Sequence, residues 1–288
     1  MSQLTMLSSM ADQDFTASLR KHVEWNIEWL DLRDAIYGKR LFALSEEESR
    51  QAKAEIDAAG LKVYCFSTAI FLDDIENGEA HFRERHLEQL QTILPAARII
   101  QPKIIRVLAA SMSGREDGRS SMETISDRHP WVIDVYREAV DRIADAGFQP
   151  TIENEAKGCF LADPDEFHDF FNRLDRKDVG LTWDVQNHWA NGVFPSLEVY
   201  NRLKPLMRYY HAKGGRAGDD GRTLAWNVAL EEASWPVVEI TRQVVADGVS
   251  PVICLNPPQH GDYVDGYDYG AVAKRDLDFL RARVTGLS

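Results

Sequence analysis

Eight short apolar runs, each followed by a longer amphipathic stretch, predict an α/β chain of the (β/α)8 TIM barrel class. A length of 288 residues suits eight such units in a single domain spanning 1–288. A doubly wound open sheet would need a Gly-rich phosphate loop after an early strand, and none is present.

The predicted strands begin with LTMLS (4–8), IEWLDLR (27–33), LKVYCFS (61–67) and IIRVLAA (104–110). FQPTIEN (148–154), VGLTWD (179–184), MRYYHAK (207–213) and SPVICLN (250–256) complete the set. Between them, apolar residues recur at three- and four-residue spacing, as a helix buried on one face requires. Clear cases are FRERHLEQLQTIL (82–94), WVIDVYREAVDRIADAG (131–147) and LEVYNRLKPLM (197–207). Ala59-Gly60 and Ala146-Gly147 read as helix stops. Asp163 followed by Pro164 reads as an N-cap and first turn.

The net charge of −13 argues against a phosphate-backbone binder, whose affinity rests on Lys and Arg. The three cysteines, Cys65, Cys159 and Cys254, lack metal-type spacing, and two lie in apolar runs. A reducing, cytoplasmic setting is expected. No apolar run approaches membrane-spanning length, and MSQLTMLSSMADQDF lacks a basic region followed by a long apolar one.

In a barrel the chemistry sits at the C-terminal ends of the strands. Alternate residues of a strand share a face, so parity identifies what points inward. On strand 6, Leu181 and Trp183 suit the helix side, which turns Thr182 and Asp184 inward. On strand 5, Thr151 and Glu153 lie opposite Ile152. On strand 8, Val252, Cys254 and Asn256 face in. On strand 7, Met207, Tyr209 and His211 share a face. Two carboxylates and an imidazole therefore converge at one end of the barrel. Such ligands suit one divalent cation, Mn, Mg, Co or Zn. Separate ion pairs lining a polar mouth are the alternative.

These residues carry a family resemblance that extends over nearly the whole chain. The sequence resembles the xylose isomerase-like superfamily of TIM barrels, which includes sugar isomerases and epimerases, inosose dehydratases and apurinic-site endonucleases. Glu153-Asn154 is similar to the superfamily's strand-5 Glu-Asn-His motif, with Glu155 in the histidine's place. Trp183-Asp184-Val185 resembles the strand-6 aspartate motif, and His211-Ala212-Lys213 the strand-7 His-x-Lys motif. The resemblance implies that Glu153, Asp184 and His211 are metal ligands. The fourth ligand of such enzymes, a strand-8 glutamate, aligns with Asn256. An amide oxygen can ligate a hard cation but cannot act as a base. Asn256 thus removes the second base of a two-base epimerase.

The implied activity is metal-dependent isomerisation or epimerisation of a small sugar or polyol-derived carbonyl compound through an enediolate. Dehydration of a similar ketone and non-catalytic sugar binding are the alternatives. The expected partner is a small polyhydroxylated substrate, with no nucleic acid or membrane, and the chain is expected to be a homo-oligomer. Glu153, His188 and Lys213 are candidate acid/base residues. His188 could equally cap a loop, and Lys213 could equally hold an ion pair. Glu155 is expected in a solvated loop, and Arg216 in a flexible Gly-rich turn, GGRAGDDG (214–221). Trp189, Trp226 and Trp235 could line the mouth or pack internally. His260 could substitute as a ligand, although Pro257 and Pro258 stiffen the turn before it.

Overall fold

The computed structural model describes residues 1–115, 118–156, 158–225, 228–257 and 268–288. Its eight barrel strands are β1 Gln3–Met6, β2 Trp29–Leu32, β3 Lys62–Ser67 and β4 Ile104–Leu108, followed by β5 Gln149–Glu153, β6 Gly180–Asp184, β7 Met207–Ala212 and β8 Val252–Leu255. Every neighbouring pair is parallel, and the strands follow one another in sequence order from β2 to β8, with β1 beside β8. The helices between them cover the outside. The principal ones are α1 Phe15–Glu24, α2 Glu46–Ala58, α3 Glu88–Ile100 and α4 Trp131–Asp145, then α5 Pro164–Leu174, α6 Leu197–Leu203, α7 Val237–Asp247 and α8 Tyr269–Arg283. The (β/α)8 TIM barrel read from the sequence is therefore the observed fold. Among the described residues no helix is long and apolar enough to cross a membrane.

The seam between β1 and β2 carries no regular ladder. A lone Leu7–Asp31 bridge closes it, together with side chains. Thr5 Oγ1 donates to the Trp29 carbonyl over 2.6 Å, and Trp29 Nε1 donates to Gln3 Oε1.

Local signals place the helices. Asp163 caps α5 in a capping box with Glu166, and Pro164 sits in its first turn. Gly60 and Gly147 take φ of 71° and 90° just beyond α2 and α4, a conformation that costs glycine least. The helix expected over 82–94 is longer and compound. A short helix Glu79–Phe82 passes into a π-helical turn, Arg83–Leu87, and then into α3, which tolerates Pro95. The helix expected over 197–207 ends at Leu203, because Met207 already belongs to β7.

Two apolar assemblies result. The larger lies between strands and helices and contains Ile152, Leu181, Trp183, Ile253 and Leu255, the residues assigned by parity to the outer faces. Each such fully buried aliphatic side chain contributes about 1.5–3 kcal/mol. The smaller fills the barrel with Tyr64, Cys65, Ile104, Tyr209, Val252 and Cys254, capped by Trp29. Met207 departs from expectation. A register shift in the β6–β7 pairing follows Leu181, so Met207 joins the outer core while Tyr209 and His211 stay inside.

Candidate active site

Register sets the site. Asp184 pairs with His211 across β6 and β7, and His211 with Cys254 across β7 and β8. Glu153 lies one step away, paired with Thr182. Asn154 extends the β5–β6 ladder with its amide. Its Nδ2 donates to the Asp184 carbonyl over 2.8 Å, and its Oδ1 accepts from the Asp184 N–H over 3.0 Å. That double bond fixes the backbone from which the Asp184 side chain departs. Asp184 Oδ1 then caps the short helix Val185–Ala190 by accepting from Asn187 N over 2.9 Å. Its Oδ2 is left facing the barrel axis, 3.8 Å from Lys213 Nζ and 3.4 Å from Asn256 Nδ2.

Glu153, Asp184 and His211 are all buried, with one ligating atom from each within 4.8 Å of the others. His211 Nδ1 is 3.3 Å from Glu153 Oε1, and Nε2 has no hydrogen-bond partner among the described residues. Buried polar atoms are normally satisfied, so an imidazole that meets a carboxylate at Nδ1 and nothing at Nε2 fits a cation site. The electrostatics agree. Burial alone would raise Glu153, but the charges of Arg106, His211 and Lys213 hold it below the usual carboxylate range. At Asp184 burial wins over Lys213, with help from Glu153, and the carboxyl is raised. Burial opposes a charge on His211, but Glu153, Asp31 and Asp184 outweigh it and raise the imidazole. A proton on His211 and a divalent cation would serve the same electrostatic end and so compete.

Arg106 and Asp31 complete the interior and were not singled out from the sequence. Arg106 Nη1 donates to the Thr68 carbonyl over 2.6 Å. Asp31 Oδ2 accepts from Tyr209 OH over 2.8 Å, while its Oδ1 has no partner among the described residues. Asp31, His211 and Cys254 also lie within ligating reach of one another. Burial, and then the charge of Asp31, raises the Cys254 thiol well above its ordinary pKa.

Lys213 reaches the cluster, its Nζ 3.8 Å from Asp184 Oδ2 and 3.3 Å from Asn187 Oδ1. Asn256 reaches it too, but it turns its amide N–H toward Asp184. His188 does not. Its Nδ1 accepts from Trp183 Nε1 over 3.2 Å, and its Nε2 donates to the Ala162 carbonyl over 3.0 Å. It therefore lies on the Trp183 side of β6, against Phe167, opposite Asp184. Glu155 is also placed differently from expectation. It is half-buried, and its Oε1 accepts from Asn187 Nδ2 over 3.3 Å and from Ala156 N over 2.8 Å. Burial, and then the charge of Glu153, raise its pKa.

Trp189 and Trp235 are buried packing residues; Trp189 Nε1 donates to the Arg222 carbonyl. Arg216 lies in a two-stranded antiparallel ribbon with Leu224–Ala225 rather than an irregular turn. Trp226 and His260 fall outside the described residues.

One further cluster imitates a metal centre. Asp73 Oδ2 is 2.6 Å from His81 Nε2 and 3.5 Å from His86 Nε2. His86 Nδ1, however, accepts the Phe71 N–H over 3.0 Å. The neutral ring then carries its proton on Nε2, facing Asp73, and has no lone pair there for a cation. The group braces the loop after β3.

A family model described as xylose isomerase-like TIM barrel matches residues 24–283. No curated protein matches the chain in sequence. Among solved structures, a xylose isomerase-like TIM barrel protein from Mycobacterium smegmatis in complex with magnesium superposes with a TM-score of 0.71 at 19% identity, covering 99% of this chain and 96% of that one. D-psicose 3-epimerase with D-tagatose from Clostridium cellulolyticum H10 gives 0.71 at 13%, covering 99% of each. The IOLI protein with a zinc atom gives 0.73 at 13%, covering 99% of this chain and all 100% of that one. At these identities the likeness is one of fold.

Proposed function

The chain belongs to the xylose isomerase-like TIM barrel family, and from that premise we propose that it is a metal-dependent isomerase or epimerase of a small sugar or polyol-derived carbonyl compound. The observation that carries this reading is the buried Glu153–Asp184–His211 cluster, with His211 Nε2 unpartnered among the described residues. Glu153, Asp184 and His211 would hold one divalent cation, Mn, Mg, Co or Zn, with the Asn256 amide beside them. The magnesium and zinc in the similar barrels support a divalent ion.

The cation would supply Lewis acidity to a carbonyl and its neighbouring hydroxyl. Glu153, kept ionised by Arg106, takes the proton from the carbon between them. Returning that proton to the adjacent carbon completes an aldose–ketose isomerisation through an enediolate, with one base. Lys213, beside Asp184 and Asn187, is placed to move a proton between substrate oxygens. Asn256 offers no second base, which favours isomerisation over epimerisation. The partner proposed is a small molecule, and the charge of −13 supports no nucleic-acid role.

A dehydratase is the second reading, and Glu155 favours it. A carboxyl raised by burial stays protonated to higher pH and can give its proton to a departing hydroxyl.

Elemental analysis tests the premise. Wild type is expected to hold about one divalent ion per chain, by the ligand count above. Glu153→Ala and His211→Ala should hold none. A metal-free wild type after reloading with Mn, Mg, Co and Zn would sink the mechanism.

A further inference from the structure

A cavity of about 270 Å³ opens between the loops that follow β2 and β3. Leu41, Ile70 and Ile93 give it apolar walls. Phe42 and Leu72 also line it, at 41% and 53% exposure, unusual openness for such side chains. The charged residues on its wall are Arg33, Asp34 and Arg40. Arg33 Nε is 3.0 Å from Asp34 Oδ2. Two guanidiniums against one carboxylate leave the cavity positive in a chain of net charge −13.

The backbone around it is unusual. Six non-glycine residues have positive φ among the described residues. Asn26, Gln101 and Asp175 follow helix ends, where a left-handed residue is routine. Tyr37, at 53°, shares with Gly38 the two-residue turn of the Ile36–Lys39 hairpin, where positive φ is routine, whereas Ala35 and Phe71, at 59° and 70°, end no helix. Both lie in the two loops that wall this cavity. Strain of this kind persists where surrounding structure holds it, and it concentrates at ligand clamps. The β2 loop is held by Tyr37 OH, which donates to Glu55 Oε1 over 2.9 Å.

The wall of the cavity is linked to the Glu153–Asp184–His211 cluster through Arg106. Thr68 lines the cavity. The Thr68 carbonyl accepts from Arg106 Nη1 over 2.6 Å, and Thr68 Oγ1 donates to the Arg106 carbonyl over 2.7 Å. Arg106 in turn holds Glu153.

We infer that this cavity is a subsite for an oxyanion, a carboxylate or phosphate at the end of the substrate remote from the reacting carbonyl, so that the substrate is an acidic sugar derivative. Guanidinium forks match both oxyanions, and the apolar wall accommodates the carbon chain that bears them. The word substrate rests on the isomerase reading; oxyanion binding does not.

The test titrates inorganic phosphate, and separately acetate, into wild type, Arg40→Gln, Arg33→Gln and His211→Ala by calorimetry at low salt. Either probe should bind wild type and His211→Ala alike and weaken at least about tenfold in the arginine variants. Phosphate alone binding assigns a sugar phosphate; acetate alone assigns a sugar acid. No binding of either, or equal binding to the arginine variants, overturns the subsite. Deuterium exchange from solvent is then followed for neutral ketohexoses, hexose 6-phosphates and hexuronic acids. Faster exchange into the neutral sugars overturns the acidic substrate. Exchange into none of them overturns the isomerase reading, while the calorimetry still decides the cavity.

Discussion

Arg106 Nε lies 2.8 Å from Glu153 Oε2 within the barrel, and both side chains are almost wholly buried. The ion pair is more than an internal tether. It keeps the proposed base ionised while Asp184, a few ångströms away, is pushed the other way. Two carboxylates in one site thus receive opposite treatment, as acid/base sites require.

Replacing Arg106 with Leu would leave Glu153 buried without its cation. Removing one partner of such a pair costs about 3–5 kcal/mol. The urea midpoint of the metal-free protein should fall accordingly, and metal should restore part of the loss. Arg106→Lys keeps the charge but loses the planar fork that reaches Thr68, so its loss should be smaller. An unchanged midpoint for Arg106→Leu would mean that Glu153 does not depend on it.

Asn256→Glu places a third carboxylate near Asp184 and Glu153. Without metal, repulsion and burial should lower the melting temperature by several degrees. With metal, the added charge should tighten binding at least about tenfold. Melting curves with chelator and with manganese should therefore move in opposite directions. Parallel movement would place Asn256 outside the coordination sphere.

Glu155→Gln separates the two chemistries. The variant should retain its metal and exchange deuterium normally if the enzyme is an isomerase. Loss of about 100-fold in turnover of a β-hydroxy ketone, with exchange preserved, would identify Glu155 as the acid of a dehydratase.

Acid should weaken the fold through buried histidines. Burial pushes His22 and His188 down to about 4. The unfolded chain protonates them below about 6.5, so between these values protons favour unfolding. Their contribution is complete above the higher value and is lost as pH falls toward the lower one. The loss is at most about 3 kcal/mol for each. His188→Gln should remove one share and leave metal content intact. An identical pH profile of the urea midpoint would show that His188 is already charged in the fold.

Much of this was legible in the sequence, because strand parity and strand-end polarity are local signals. Glu153, Asp184 and His211 stand at strand ends, where parity turns them inward, and all three meet. His188 misled because one residue type serves both as an acid/base group and as a buried hydrogen-bonding residue. Only the path of the chain after Asp184 shows that both nitrogens are engaged by Trp183 and Ala162. Arg106 and Asp31 left a signal that parity could have caught, since each is a lone charge inside an apolar strand, IIRVL and WLDL. Such a charge must find a counter-charge within the barrel. Glu155 could not be placed, because its burial depends on Asn187 and Asn191 closing over it from the next loop. The bulge that displaces Met207 has no mark in composition.

The seam between β1 and β2 bears on how the molecule breathes. Elsewhere around the barrel an opening fluctuation must break a ladder of several amide bonds together, but here it meets one bridge and a few side chains. Slow amide exchange should therefore be weakest along this line and strongest on the far side, at β5 and β6. Asp31 stands on the seam and belongs to the same ligating group as His211. The barrel's softest line thus runs beside its most highly charged point, and occupancy of the charged site should be readable as slowed exchange along the seam.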